Sequence, residues 1–326
     1  MFFVGKLLII GLGMKDNKIV VTGGAGFIGS NLVERLVNNK NHVIVIDDLS
    51  TGYIENIQEF IDGKKIEFVK GSVTDINLLQ DTLKDVDYVF HQAALASVPR
   101  SVKDPLKTNF VNINGTLHVL IAAKDCKVRK VLFASSSSVY GDTPTLPKNE
   151  SMTPNPLSPY AVSKLAGEYY CQVFSDVFRL PVAALRYFNV YGPRQDPLSE
   201  YAAVIPRFIS DVINDRSPVI YGTGEQTRDF TFIDDVVQAN LRAAESNATG
   251  VFNVAGGKRI SINELARTVM TLCDKNLDIV YEAARSGDIM HSHADSSRAK
   301  KAFRYIPKYD IKNGLKETIR WYQKQR

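Results

Sequence analysis

At 326 residues with 44% hydrophobic side chains, the chain is long enough for two domains, or one large domain with an appended lobe, around a sizeable core. A formal charge of +5 is mild and the basic residues are scattered, which argues against a nucleic-acid-binding surface. Cys126, Cys171 and Cys273 lack metal-ligand spacing and suit a reducing cytoplasm without a structural disulfide.

Met1 to Gly13 is apolar but too short to span a bilayer, and it has no basic start or small-residue cleavage site. It is read as part of an N-terminal extension, residues 1–17, either an extra edge strand or an upstream start with Met14 the natural one. Gly11-Leu12-Gly13 lacks a third glycine at the right distance. Lys18 to Thr22 reads as a buried strand and Phe27 to Val37 has helical periodicity. Gly23, Gly26 and Gly29 therefore fall at a strand-to-helix turn, where a dinucleotide pyrophosphate meets helix N–H groups. A second strand, His42 to Ile46, ends in Asp47-Asp48, where a carboxylate binds an adenosine ribose and repels a 2′-phosphate. NAD is expected over NADP.

The alternation continues with Ile66 to Val69 then Asp75 to Leu83, Tyr88 to Phe90 then Pro105 to Ala123, and Lys130 to Ala134 then Pro159 to Phe178, before Val182 to Arg186. It predicts an α/β, doubly wound parallel sheet, with ligands beyond the carboxyl ends of its strands. After Tyr187 the order loosens into Pro- and Gly-rich loops with helical stretches Val204 to Asn214, Asp234 to Glu245 and Asn263 to Cys273, a smaller interleaved lobe. His291-Ser292-His293 has no acid or cysteine cluster beside it and is read as loop, not metal site.

The most informative segment is Tyr160-Ala-Val-Ser-Lys164, downstream of the serine run Ser135 to Ser138. Residues four apart share a helix face, so an ammonium lies beside the phenol; it is expected to lower the Tyr160 pKa toward that of a working general base. With 14 tyrosines in the chain this spacing also recurs by chance, and its neighbours carry the reading.

Together, Gly23-Gly-Ala-Gly-Phe-Ile-Gly29, His91-Gln-Ala-Ala, Ser136 with Tyr160 and Lys164, Arg186-Tyr-Phe-Asn189 and Arg228-Asp-Phe resemble the extended short-chain dehydrogenase/reductase group of nucleotide-sugar enzymes, from about Lys18 to the C-terminus. The resemblance implies a Rossmann-type domain with tightly held NAD, a UDP-sugar-binding C-terminal lobe, and a homodimer paired through two long helices. The domains would be 18–186 plus about 229–257 for NAD, and 187–228 plus 258–326 for the UDP-sugar. Carried over residue by residue, Gly23, Gly26, Phe27, Ile28, Gly29, Asp47, Asp48, Ser72, Val73, Gln92, Ala93, Ala94, Tyr160, Lys164 and Tyr187 would hold the cofactor. Ser136, Tyr160 and Lys164 would be catalytic. Ala96, Ser97, Ser136, Ser137, Asn189, Gln195, Ala203, Val204, Tyr221, Arg228, Arg285, Asp288 and Ser292 would bind substrate, the arginines suiting a pyrophosphate and Tyr221 suiting uracil. One departure is Gly71-Ser72-Val73, where the group usually has Gly-Asp-hydrophobic, so a carboxylate contact to adenine is missing.

Related dehydratases carry an Asp-Glu pair, and decarboxylases a glutamate, where this chain has Ser137 and Ser138. What the resemblance then implies is oxidation and re-reduction at one carbon, as in the 4-epimerases. Epimerases restricted to UDP-glucose and UDP-galactose carry a tyrosine at the position of Ser292, and a serine leaves room for a 2-acetamido group. UDP-N-acetylglucosamine and UDP-N-acetylgalactosamine are the expected pair, with UDP-glucose and UDP-galactose also taken. A UDP-glucuronate 4-epimerase and a non-catalytic dinucleotide sensor are the alternatives.

Overall fold

The computed structural model describes residues 14–197, 203–284 and 289–324. Its strands are β1 (Lys18–Thr22), β2 (His42–Asp47), β3 (Ile66–Lys70), β4 (Tyr88–His91), β5 (Lys130–Ser136), β6 (Val182–Tyr187), β7 (Val190–Tyr191), β8 (Val219–Tyr221), β9 (Thr227–Asp229), β10 (Thr231–Phe232), β11 (Gly250–Val254), β12 (Arg259–Ser261) and β13 (Val280–Glu282). Its helices are α1 (Phe27–Asn38), α2 (Gln58–Asp62), α3 (Ile76–Thr82), α4 (Val98–Lys103), α5 (Pro105–Asn109), α6 (Gly115–Asp125), α7 (Pro159–Val177), α8 (Val204–Ile213), α9 (Ile233–Glu245), α10 (Ile262–Leu272), α11 (Ser297–Phe303) and α12 (Ile311–Lys324).

Strands buried on both faces lose the alternation of half-buried ones, and β1, β2, β5 and β6 are near-continuous apolar runs because helices cover both sides. They belong to a seven-stranded parallel sheet of order β11-β6-β5-β4-β1-β2-β3. The chain runs outward from β1 to β3 and then crosses to β4 on the other side of β1, so the switch point lies between β1 and β4. That is where a doubly wound sheet opens a ligand crevice. Three two-stranded ribbons, β7 with β10, β8 with β13 and β9 with β12, form the smaller lobe. Because β11 returns to the large sheet beside β6, that lobe is interleaved with the Rossmann-type layer. No helix among the described residues is long and apolar enough to cross a membrane.

Two details position the site. The helix expected over Pro105 to Ala123 is interrupted by a π turn at Phe110–Asn114. The wider turn accommodates Asn112 facing inward, where its carboxamide oxygen accepts from Leu95 N at 2.8 Å and its nitrogen donates to Ser163 Oγ at 3.0 Å. The second is α7. Ser158 caps it through Ala161 N at 3.2 Å with Pro159 in its first turn, and Gly167 lets it lie close on β5. A Cβ on Gly167 would stand 2.4 Å from the tip of the Phe133 ring, and a packed ring has nowhere to go. Gly167→Ala should therefore cost about 1–3 kcal/mol, the usual range for overpacking, despite alanine's better helix propensity. Urea unfolding measures it: an unchanged or raised midpoint would show that α7 has slack over β5.

Candidate active site

A cavity of about 240 Å³ opens at the carboxyl ends of the central strands. All the residues expected at the cofactor line it except Ser72, whose hydroxyl instead lies 2.9 Å from that of Thr74. The turn after β1 is built for close approach. Gly23 adopts φ +70°, and a Cβ there would stand 2.6 Å from Ala93 N. The first helical turn of α1 starts from Gly26 without a side-chain cap, so its backbone N–H groups face the cavity. At the end of β2 the Asp47 carboxylate is buried and accepts from Ala25 N at 2.9 Å and Leu49 N at 2.8 Å. Burial pushes its pKa up, and those two backbone bonds offset the rise. Asp48 is exposed and folds back onto Ser50 N at 2.9 Å. An uncapped helix start for a pyrophosphate and a fixed carboxylate for a ribose fit a dinucleotide without a 2′-phosphate.

Tyr160 and Lys164 stand at the other end of the cavity with Tyr187, whose hydroxyl is 3.1 Å from Asn240 Oδ1 and 3.3 Å from Gln92 Oε1. The expected effect of Lys164 on the phenol is not what the geometry gives. Lys164 Nζ donates to Ala134 O at 2.8 Å and lies 5.9 Å from the Tyr160 ring centroid. Burial raises the Tyr160 pKa, and the group pulling it back is a hydrogen bond with Ser136. Lys164 is itself depressed to about 8 by burial, with Cys171 and Glu168 pulling it back toward the charged form. His91 is buried between Thr22 Oγ1 at 2.8 Å and Thr116 Oγ1 at 3.0 Å; burial, then Lys164, lower it to about 3, and it stays neutral.

A second cavity of about 280 Å³ lies in the smaller lobe. Asn189, Ala203, Val204, Tyr221 and Arg228 line it, as does Arg207, whose guanidinium sits 5.3 Å over the Tyr221 ring. Asn189, at φ +37°, donates to Asp229 O at 2.8 Å and to Ser292 Oγ at 3.3 Å. Ser292 is buried behind Asn189, not on the cavity wall. Ala96 lines the first cavity, whereas Ser97, Ser136, Ser137 and Gln195 line neither. Ser97 caps α4, Ser136 Oγ accepts from Ser138 N at 3.2 Å, and Gln195 Nε2 donates to Val190 O at 3.2 Å. Arg285 and Asp288, like residues 1–13 of the extension, lie outside the described residues. His291 bonds Thr227 Oγ1 through Nδ1 at 2.9 Å.

Sequence reasoning missed Ser50, Thr51, Gly52, Val111 and Ser135 in the first cavity and Arg207 and Gln226 in the second. The Ser-Thr-Gly run after Asp48 was a readable signal; the others arrive by packing.

Residues 19–255 match the NAD dependent epimerase/dehydratase family. The chain belongs to that family. Its cofactor is NAD, and it is an isomerase of the epimerase type that works with NAD bound. It is similar to the UDP-N-acetylglucosamine 4-epimerase of Methanobrevibacter ruminantium, solved with UDP-N-acetylmuramic acid: 46% identity, TM-score 0.93, 96% of this chain and 100% of that one covered. The UDP-glucose 4-epimerase of Thermotoga maritima, solved with UDP-glucose, is 36% identical, with a TM-score of 0.90 over 94% of this chain and 99% of that one. A UDP-glucose 4-epimerase of Mycolicibacterium smegmatis is 38% identical over 311 residues, 94% of this chain and 98% of that protein.

Two outcomes are expected. Protein denatured after purification should release NAD(H) with little NADP(H), because Asp47 repels a 2′-phosphate; NADP(H) as the main species would remove Asp47 from that role. Ser136→Ala removes the group that lowers the Tyr160 pKa, and phenolate is the basic form, so the acidic limb of the pH–turnover profile should move to higher pH. A limb left in place would mean that Ser136 does not tune the phenol.

Proposed function

We propose that this enzyme interconverts the 4-epimers of UDP-hexoses, with the 2-acetamido pair among its substrates. The observation that carries the reaction type is the catalytic end of the cavity. It presents the Tyr160 phenol and Lys164, with Ser136 behind the wall as the hydrogen-bond partner of the phenol, while Ser137 and Ser138 stand where elimination chemistry needs a carboxylate. The cavity's two lining carboxylates, Asp47 and Asp48, follow β2 and not the serine run of β5.

NAD, when bound, accepts a hydride from carbon 4 and returns it. The residues do the rest. Tyr160 takes the proton of the 4-hydroxyl and later gives it back, acting as base and then acid at one oxygen. Ser136 donates to that oxygen while charge grows on it. Lys164 contributes whatever positive charge it retains and, from its place on the wall, a donor for the nicotinamide ribose. Between the two proton transfers the 4-keto sugar must present its other face. The UDP would stay fixed in the second cavity, with Tyr221 against uracil and Arg228 at the diphosphate.

In this reading residues 18–186 and about 229–257 carry NAD, and 187–228 with 258–326 carry the UDP-sugar, consistent with the return of β11 to the large sheet. The proposed assembly is a cytoplasmic homodimer. Its support is a stripe of exposed apolar side chains on α7, Val162, Tyr169, Val173 and Val177, beside Val102, Leu106 and Phe110.

Ser292 supplies the sugar reading. Its small side chain is buried behind Asn189, and a tyrosine in its place would have to push Asn189 or itself into the second cavity, which in this reading holds the nucleotide end of the substrate. Overpacking of a preformed pocket costs about 1–3 kcal/mol, roughly tenfold or more in discrimination. Ser292→Tyr should therefore depress turnover of UDP-N-acetylglucosamine and UDP-N-acetylgalactosamine by at least about tenfold more than that of UDP-glucose and UDP-galactose. Equal losses would make Ser292 a loop support, and a wild-type chain inactive on acetamido sugars would refute the substrate assignment.

A further inference from the structure

Ser135 and Arg186 are register partners on the parallel strands β5 and β6, so their side chains leave the sheet on one face, the face that α7 covers. Glu168 hangs from α7 one turn after Lys164 and closes the gap between them. Arg186 Nε donates to Glu168 Oε1 at 2.8 Å and Nη2 donates to Oε2 at 2.7 Å, a two-point fork, while Ser135 Oγ donates to the same Oε1. Ser135, Glu168 and Arg186 are each 3% exposed. The Tyr140 ring covers the guanidinium, with its centroid 4.6 Å away, and the Tyr140 hydroxyl donates to Asn253 Oδ1 on β11 at 2.8 Å.

Stability alone gives little reason for this arrangement, because taking two charges out of water costs much of what their attraction returns, and an apolar trio of the same volume packs comparably. A two-point fork adds direction: it fixes distance and rotation between the elements it joins. Those elements carry the reacting groups. Ser136 follows Ser135 on β5, and Tyr160 and Lys164 precede Glu168 on α7. Ser135 also lines the cofactor cavity.

We propose that Glu168 and Arg186 are positioning residues which, through the Ser135 hydroxyl, hold Ser136 on β5 against Tyr160 and Lys164 on α7. The proposal rests on the epimerase reading above. It has an electrostatic side as well. Burial holds Lys164 down, and Cys171 and the Glu168 carboxylate pull it back toward the charged form.

The test compares Ser135→Ala, Ser135→Thr and Glu168→Gln with the wild type in turnover, KM, bound NAD per chain, UDP affinity by calorimetry, and the pH midpoint of amine labelling at Lys164 by peptide mass spectrometry. Ser135→Ala should keep NAD content, KM and UDP affinity within about twofold and lose turnover about tenfold, the signature of lost alignment in the reacting complex. Ser135→Thr, which restores the hydroxyl, should recover most of that loss, and Glu168→Gln should lose more turnover than Ser135→Ala. Wild-type turnover in Ser135→Ala, or a parallel fall of turnover, NAD content and UDP affinity that threonine does not reverse, overturns the proposal. So does a folded Glu168→Gln chain with wild-type turnover; if that chain does not fold, the Ser135 pair decides. A wild type that converts no UDP-sugar fails the epimerase reading alone. The clamp is then judged by the Lys164 midpoint, which must drop below the wild-type value in Glu168→Gln, because the Glu168 carboxylate favours the charged amine, and stays put if Glu168 only fills space.

Discussion

How closely α7 lies on β5 sets the geometry of everything that follows. The helix carries Tyr160 and Lys164, the strand ends in Ser135 and Ser136, and the glycine at 167 removes the one methyl that would prise them apart. From the helix side Lys164 reaches the strand carbonyl of Ala134, and Glu168 reaches Ser135 and, on the next strand, Arg186. A nonpolar contact and two polar ones therefore fix one distance, and the first cavity is the space left at its open end.

The same burial that holds the parts together sets their electrostatics. A buried phenol resists ionisation, and a buried ammonium near it is disfavoured for the same reason, so neither group activates the other by charge alone. A hydrogen bond with Ser136 pulls the phenol back, Cys171 and Glu168 pull the ammonium back toward its charged form, and the carbonyl of Ala134 holds that ammonium in place. In the proposed reaction a serine therefore stands beside the lysine in the reacting set. The neutral His91 beneath them shows the same trend carried further, a side chain used as a spacer between two threonine hydroxyls.

What the sequence revealed depended on whether the signal was local. The glycine turn, Asp47 and the Tyr160–Lys164 spacing are readable because strand and helix geometry place neighbours at fixed offsets. The π turn at 110–114 was invisible because it serves a contact made by Asn112 with Leu95 and Ser163, residues from two other segments. Arg207 was missed because helix α8 brings it to Tyr221 only in the folded lobe. The Ser72 and Ser97 hydroxyls also make local contacts that the sequence did not announce, Ser72 with Thr74 and Ser97 accepting from Arg100 N in the first turn of α4. The Lys164 effect was misjudged for a related reason: spacing gives proximity, but not how much water two groups share.

The proposed reaction oxidises and re-reduces one carbon without release from the site, with Tyr160 handling only the hydroxyl proton. A UDP-hexose deuterated at carbon 4, incubated with the purified enzyme in ordinary water and followed by mass spectrometry and NMR, tests it most directly. The account predicts that the epimer retains deuterium at carbon 4 and that its formation is slowed by the label. Deuterium lost to solvent from carbon 4 would mean proton abstraction at that carbon, and would contradict the account.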